Sequence, residues 1–243
     1  MINFNEKNRE FHLQGKNFSY VFNVMQNGQL GQLYFGKKIR HREDFSHFFY
    51  KPEVGIGIIA HYEEDPGFSL EYFKQEYPSY GTTDFRKPAF EIEDENGSRV
   101  SNFVYKGYRI YKGKEKLQGL PATYVLSEEE AETLEITLED EVLECRLYLT
   151  YTIFNERDIL TRNARFENYG KQNLKLNRAM SLSLDLQDYN YEMLHFSGAW
   201  ARERHIIRKE IRSGSQSIES RRGSSSHAQN PFMALARKDT TET

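Results

Sequence analysis

The chain is short of cysteine, tryptophan and long apolar runs, and each shortage removes a class of protein. Its one cysteine, Cys145, rules out an internal disulfide framework. No apolar stretch approaches the roughly 18–20 residues that a membrane-spanning helix needs. The opening residues, Met1 to Glu10, are polar and charged and lack the apolar core of a secretory leader. The net charge is −3, with acidic and basic residues mixed along the chain, so no basic stripe is offered to nucleic acid. Neither nucleic acid nor a membrane is expected as a partner, and the chain reads as soluble and cytoplasmic. The N-x-S sequons at Asn17 and Asn96 carry no weight without a sign of secretion.

What the chain does have is aromatic residues, 16 Tyr and 17 Phe against a single Trp, in 243 positions. Tyr and Phe favour strands, and period-two alternation runs through the readable segments. From Val142 to Phe154, the residues Leu143, Cys145, Leu147, Leu149, Tyr151 and Ile153 fall on one face. Glu144, Arg146, Thr150 and Thr152 share the other. Leu134, Ile136 and Leu138 alternate with glutamate and threonine, and a similar pattern extends from Leu174 to Leu186. Further strands are expected at Phe11–Leu13, Phe18–Met25, Gln29–Phe35, Val100–Tyr111, Thr123–Leu126, Ile159–Glu167, Met193–Trp200, His205–Ile211 and Pro231–Arg237. Turn signals separate them at Asn27-Gly28, Asn96-Gly97, Asn168-Tyr169-Gly170 and Ser213-Gly214, with Asn96-Gly97 the clearest hairpin signal. One helical turn is expected at Ser127–Glu132, where Ser127 and Glu130 have capping-box spacing. Many strands and almost no helix predict an all-β fold, a large antiparallel β-sandwich treated as a single domain over residues 1–243. The stretch His41–Gly67 stands out as a long aromatic-rich excursion.

Familiar chemical motifs fail on context. Gly55-Ile56-Gly57 lacks the preceding strand and following helix of a dinucleotide site. The seven histidines have no paired ligand spacing, so no metal site or cofactor is expected. Ser224-Ser225-Ser226-His227 is adjacent only in sequence, which says nothing of a nucleophile and base meeting in space. Cys145, on an apolar strand face, reads as core. The acidic run Glu128–Glu130 reads as a solvated cap, not a catalytic carboxylate pair.

A set of longer stretches carries more. Glu76-Tyr77-Pro78-Ser79-Tyr80-Gly81, then Asp84-Phe85-Arg86 and Pro88-Ala89-Phe90, resembles the α-galactosidases of glycoside hydrolase family thirty-six. Similar to the same family are Leu117-Gln118-Gly119-Leu120-Pro121-Ala122-Thr123-Tyr124-Val125 and Glu132-Thr133-Leu134-Glu135-Ile136. So are Thr161-Arg162 with Arg165-Phe166-Glu167-Asn168, and Gly198-Ala199-Trp200-Ala201-Arg202-Glu203-Arg204. The last is Glu219 to His227, leading to Asn230-Pro231-Phe232. These blocks lie in the family's order.

The resemblance implies a β-sandwich (a supersandwich) placed before a catalytic (β/α)₈ barrel whose two aspartates do the chemistry. This sequence contains none of that barrel, so the chain by itself is expected to be inactive. The sandwich is expected to lack its last strands. The implied function is that of the non-catalytic N-terminal domain of an α-galactosidase acting on raffinose-type oligosaccharides. It would assist homo-oligomer assembly and shape the substrate pocket of a neighbouring subunit, with the catalytic barrel of the same or another subunit as partner. The alternative is a stand-alone carbohydrate-binding or structural module. Sugar contacts are expected from the excursion and the Gly198–Arg204 turn. Trp200 is the foremost candidate, because an indole face stacks on a sugar ring; the competing reading is a sandwich-edge aromatic used for packing. Tyr191, Phe48, Phe49 and Glu53 complete the set, although His61 to Pro66 does not follow the family's pattern.

Overall fold

The computed structural model describes residues 1–49, 62, 64–65, 67–81, 86–119, 122–222 and 227–240. The Gly55–Gly57 and Ser224–Ser226 motifs lie outside these residues. Two compact units are present, Met1–Asp185 and Leu186–Thr243.

In the first unit, β1 (Ile2–Asn5), β2 (Glu10–Gln14), β3 (Phe18–Val24) and β4 (Leu30–Lys37) form an antiparallel sheet in chain order. A second antiparallel sheet contains β6 (Val104–Lys112), β7 (Ala131–Asp140), β8 (Cys145–Phe154) and β9 (Ile159–Asn168), again in order. The strand β5 (Phe90–Glu93) pairs with β10 (Lys175–Ala179). Hairpin connections account for the sequential order. Between β3 and β4 the chain turns at Asn27-Gly28, where Gly28 has φ +81°, a region that costs glycine little. Between β7 and β8 the Asp140 carboxylate accepts the backbone N–H groups of Val142 and Leu143, each at 3.0 Å.

Alternation places the core. On β8, Cys145, Leu147, Leu149, Tyr151 and Ile153 are all buried, and across the ladder Leu138, Ile136 and Leu134 face Leu147, Leu149 and Tyr151. From the first sheet, Phe11, Leu13, Tyr20 and Phe22 join the same cluster, and Phe22 stacks on Tyr151 with ring centroids 5.1 Å apart. Two antiparallel sheets sharing one core make the predicted sandwich. Each such side chain, fully buried, contributes about 1.5–3 kcal/mol. Cys145 is part of this core; burial, then the nearby Asp140 charge, pushes its thiol up to about 11.

A charge sits within the sandwich. Glu76 has no solvent exposure, and its carboxylate lies 2.7 Å from the Arg162 guanidinium on β9. It also accepts hydrogen bonds from the Tyr20 hydroxyl and, at 2.8 Å, from the Tyr151 hydroxyl. Arg162 donates further to Ser183 O at 3.1 Å and lies over the Tyr151 ring. Burial is the largest influence and pulls the guanidinium down, but Glu76 with Tyr151 and Tyr20 together outweigh it and hold Arg162 above its ordinary value. Burial lifts the Glu76 carboxyl against the opposing pull of Arg162, and lifts both tyrosines well above 10.

Several expectations are corrected. Asn96-Gly97 does form a tight turn, with the Asp94 carboxylate accepting from Asn96 N and Ser98 N, but it is no hairpin: β5 pairs with β10, and β6 starts only at Val104. The Leu174–Leu186 pattern yields a strand over Lys175–Ala179 alone, with a register shift between Leu176 and Arg178. Beyond it the backbone is held by side chains instead of a ladder: the Gln32 amide exchanges two 2.8 Å hydrogen bonds with Asp185, and Arg162 holds Ser183. Leu176 and Leu182 are consequently about half exposed. Thr123–Leu126 carries no strand. At Ser127 a single 3₁₀ turn, Glu128–Glu130, forms without a side-chain cap from Ser127, while Glu130 reaches back to Leu126 N at 3.2 Å.

The second unit is a three-stranded antiparallel sheet of β11 (Tyr191–Ala199), β12 (Arg202–Glu210) and β13 (Gln229–Arg237), with β11 in the centre. Among the described residues no helix is long and apolar enough to cross a membrane.

Removing one partner of a buried ion pair leaves an uncompensated charge, at a cost of about 3–5 kcal/mol. Arg162→Met is therefore expected to lower the urea-unfolding free energy by that amount, whereas Arg109→Met, at an exposed pair, should cost under about 1 kcal/mol. Similar losses for the two variants would remove the buried pair from its central place.

Candidate functional site

The excursion after β4 begins as a loop fastened to the outer face of the first sheet. On β2, Phe11 and Leu13 point into the sandwich, which turns Glu10, His12 and Gln14 outward. These outward groups hold the loop. Phe45 N donates to the Glu10 carboxylate at 2.9 Å, Gln14 Nε2 to Ile39 O at 3.3 Å, and Ile39 N to Ser19 Oγ at 3.1 Å. His12 is 1% exposed, with Nε2 2.9 Å from Ser19 Oγ and Nδ1 3.0 Å from His41 Nδ1. Each of these contacts uses a ring nitrogen whose role depends on the tautomer. Burial first, then the neighbouring His41 ring, lowers His12 to about 4. Buried as they are, His12 and Ser19 form a structural clasp and are closed to a substrate.

The loop's aromatic residues settle into small clusters. Phe45 is buried with Val21 and Leu33, and the half-buried Phe48 stacks on Tyr34 with centroids 5.2 Å apart. Phe49 stacks on Phe73 at 4.6 Å. Both predicted residues therefore pack against the first unit, and each keeps part of its surface in solvent. Glu53 lies outside the described residues.

Trp200 and Tyr191 belong to the second unit, at opposite ends of β11. With about 3.3 Å per strand residue, the span of β11 from Tyr191 to Ala199 is some 26 Å, so one ligand ring cannot touch both Tyr191 and Trp200. Tyr191 is half buried, edge-on to Tyr189 at 6.0 Å. Trp200 opens the turn into β12 and is 82% exposed. That turn is tightly specified: Ala199 pairs with Arg202, Ala201 has φ +62°, and Ala201 N donates to the Glu203 carboxylate at 2.9 Å. A Cβ at Gly198 would stand 2.4 Å from Arg202 O, so only glycine allows the close approach. An indole held this way is available for stacking on a flat apolar partner such as a sugar face.

Sequence reasoning missed two concavities of the first unit, because both are made by residues far apart in the chain. An apolar cleft of about 420 Å³ is lined by Phe18, Phe35, Leu160, Leu182 and Leu184, with Tyr20 and Arg162 among its walls. A polar groove of about 610 Å³ lies over the outer face of the second sheet. Among the described residues no group of three or more His, Cys, Asp or Glu is placed to hold a metal ion.

A family model described as the glycosyl hydrolase family 36 N-terminal domain matches residues 28–243. Alpha-galactosidase AgaA of Geobacillus stearothermophilus is 45% identical over 242 residues, covering 99% of this chain and 33% of that protein. The crystal structure of the alpha-galactosidase from Lactobacillus brevis superposes with a TM-score of 0.92 at 42% identity, covering 99% of this chain and 32% of that one. An AgaA variant in complex with raffinose superposes with a TM-score of 0.88 at 46% identity, covering 95% of this chain and 32% of that one. The chain spans about a third of the length of the relatives it matches.

A histidine lowered in the folded state favours folding above its unfolded value and loses that contribution as pH falls toward the folded one. The clasp is expected to weaken as pH falls from 6.5 to about 4. Glu10, raised by burial, contributes to global stability with the opposite sign, but its protonation weakens its own bond to Phe45 N, so the probe of the histidine is Ile39 N, held by the His12-bonded Ser19. Hydrogen-exchange protection at Ile39, corrected for intrinsic rates, should fall over that range; constant protection would refute the clasp.

Proposed function

The chain belongs to the glycosyl hydrolase family 36 N-terminal domains, and from that premise we propose that it is the non-catalytic N-terminal part of an α-galactosidase. The longer enzyme would hydrolyse terminal α-galactosyl residues of raffinose-type oligosaccharides. Within it, this domain assists homo-oligomer assembly and presents Trp200 at the substrate pocket of a neighbouring subunit, next to that subunit's catalytic barrel. A cytoplasmic location belongs to the same proposal.

The observation that carries the reading is the display of Trp200. The chain's one tryptophan stands almost wholly in solvent on a turn whose backbone is held by Gly198, Ala201 and Glu203. An indole held on such a turn offers a flat apolar face on which a sugar ring or a partner can stack. The same unit leaves Ile206 66% and Met233 54% exposed, on opposite faces of its sheet, which supports an assembled context. Raffinose bound to the AgaA variant supports the substrate class. The buried carboxylate Glu76 is fully engaged by Arg162 and two hydroxyls, which leaves it no role as an acid or nucleophile on a sugar. Tyr191, Phe48, Phe49 and Glu53 remain proposed pocket contributors, ranked below Trp200.

Two measurements test this. The isolated chain is expected not to turn over a chromogenic α-galactoside; turnover that copurifies with it would overturn the non-catalytic reading. In the full-length enzyme, Trp200→Ala should lower kcat/KM for raffinose by about three- to tenfold, the worth of one aromatic stacking contact. Unchanged kinetics on every galactoside would return Trp200 to a structural role.

A further inference from the structure

The polar groove of the first unit is built from the outward side of the second sheet. Cross-strand register sets Glu135, Thr150 and Asn163 in one row, and Thr133, Thr152 and Thr161 in the next. The chain after β6 roofs the second row. Thr133 Oγ1 donates to Gly113 O at 2.6 Å and shares a 2.9 Å hydrogen bond with Thr152, so both hydroxyls are sealed. From there Lys114, Leu117, Gln118, Ala122 and Thr123 form a wall over the open part of the face. Of these, Leu117, Gln118, Ala122 and Thr123 belong to the stretch that resembles the family in the sequence, and none has a part in the Trp200 turn.

Two features equip the groove for a ligand. First, Thr150, Thr161 and Asn163 line it half buried, and among the described residues their side chains make no hydrogen bond, so their hydroxyls and amide stay open at the groove surface. Second, its charge is unbalanced. Glu135 and Glu115 are both held by Arg109, at 2.9 and 3.1 Å. Lys114, Lys116 and Arg165 have no acidic partner among the described residues, and Arg165 lies flat on the Tyr148 ring, 3.8 Å from its centroid. Lys114 is half buried as well, and burial lowers its ammonium.

The geometry points to this groove as a binding site for a phosphorylated hexose, with Lys114 and Arg165 on the phosphate and Thr150, Thr161 and Asn163 on the sugar hydroxyls. A neutral oligosaccharide would leave the three cations unanswered. Inorganic phosphate would leave the unpaired hydroxyls and amide unfilled in about 610 Å³, a volume in the range of small-molecule sites. The assignment is independent of the Trp200 reading.

Isothermal titration of the 243-residue chain with galactose 1-phosphate, galactose and inorganic phosphate tests it. Galactose 1-phosphate is expected to bind with a submillimolar dissociation constant, and both comparison probes at least about tenfold more weakly. Lys114→Met and Arg165→Met should each weaken galactose 1-phosphate about tenfold, as loss of a charge partner does. Asn163→Asp, nearly isosteric and adding a carboxylate to the floor, should weaken it too, while Trp200→Ala should leave it unchanged. Circular dichroism would establish that the variants keep their fold. Equal affinity for phosphate or galactose, absence of saturation, or indifference to all three groove variants would overturn the assignment.

Discussion

The first unit depends on the pairing of Glu76 with Arg162. A carboxylate with no access to water persists only where opposite charge and hydrogen-bond donors replace the solvent. Here the replacements come from both sheets: Tyr20 from β3, Tyr151 from β8 and Arg162 from β9. The pair therefore ties the connecting chain at Glu76 to both layers of the sandwich. Through Ser183, Arg162 also fixes the stretch after β10, which has no ladder partner of its own. Apolar burial supplies most of the stabilisation, but it is tolerant of sliding; this network is directional, and it specifies which residues of the two sheets face each other.

The sheets were legible because their signal is local. On β7 and β8 Leu134, Ile136, Leu138, Leu147, Leu149, Tyr151 and Ile153 are buried where alternation assigns them, while the outward Thr133 and Thr152 are buried for a reason that alternation does not carry. Shorter elements escaped. Strands β1 and β5 do alternate, Ile2 with Phe4 and Phe90 with Ile92, but at four residues each they offer only two apolar positions, too few to stand out. Asn96-Gly97 announced a turn correctly and a hairpin wrongly, since turn chemistry does not choose the strand's partner. Glu76 and Arg162 both stand in stretches that resembled the family, yet nothing in their spacing says that they meet. Only the fold brings a connecting segment against β9.

The site divides in the same way. Trp200 could be singled out from sequence because tryptophan occurs once, in the Gly198–Arg204 stretch that resembles the family, and in the fold it is exposed. Phe48 and Phe49 carry the same aromatic signal but fill clusters on the first unit, and composition does not separate an aromatic that packs from one that is displayed. The outward threonines of β8 and β9 read merely as the wet side of a sheet. Whether such a side is bare or roofed depends on where the chain after β6 runs, and Thr133 holds its first residue through Gly113 O.

The placing of the chain's two rarest side chains also decides which optical and chemical probes report on it. Trp200 stands in water in the folded protein and would do so in the unfolded one, so tryptophan fluorescence is nearly blind to the melting of the sandwich. Cys145 is the reverse case. Its thiol lies in the core at the first residue of β8, with a raised pKa, and gains access to solvent only when that strand leaves its neighbours. A thiol-reactive dye would thus act as a clock for the opening of the first unit, counting one event per molecule with no engineered label.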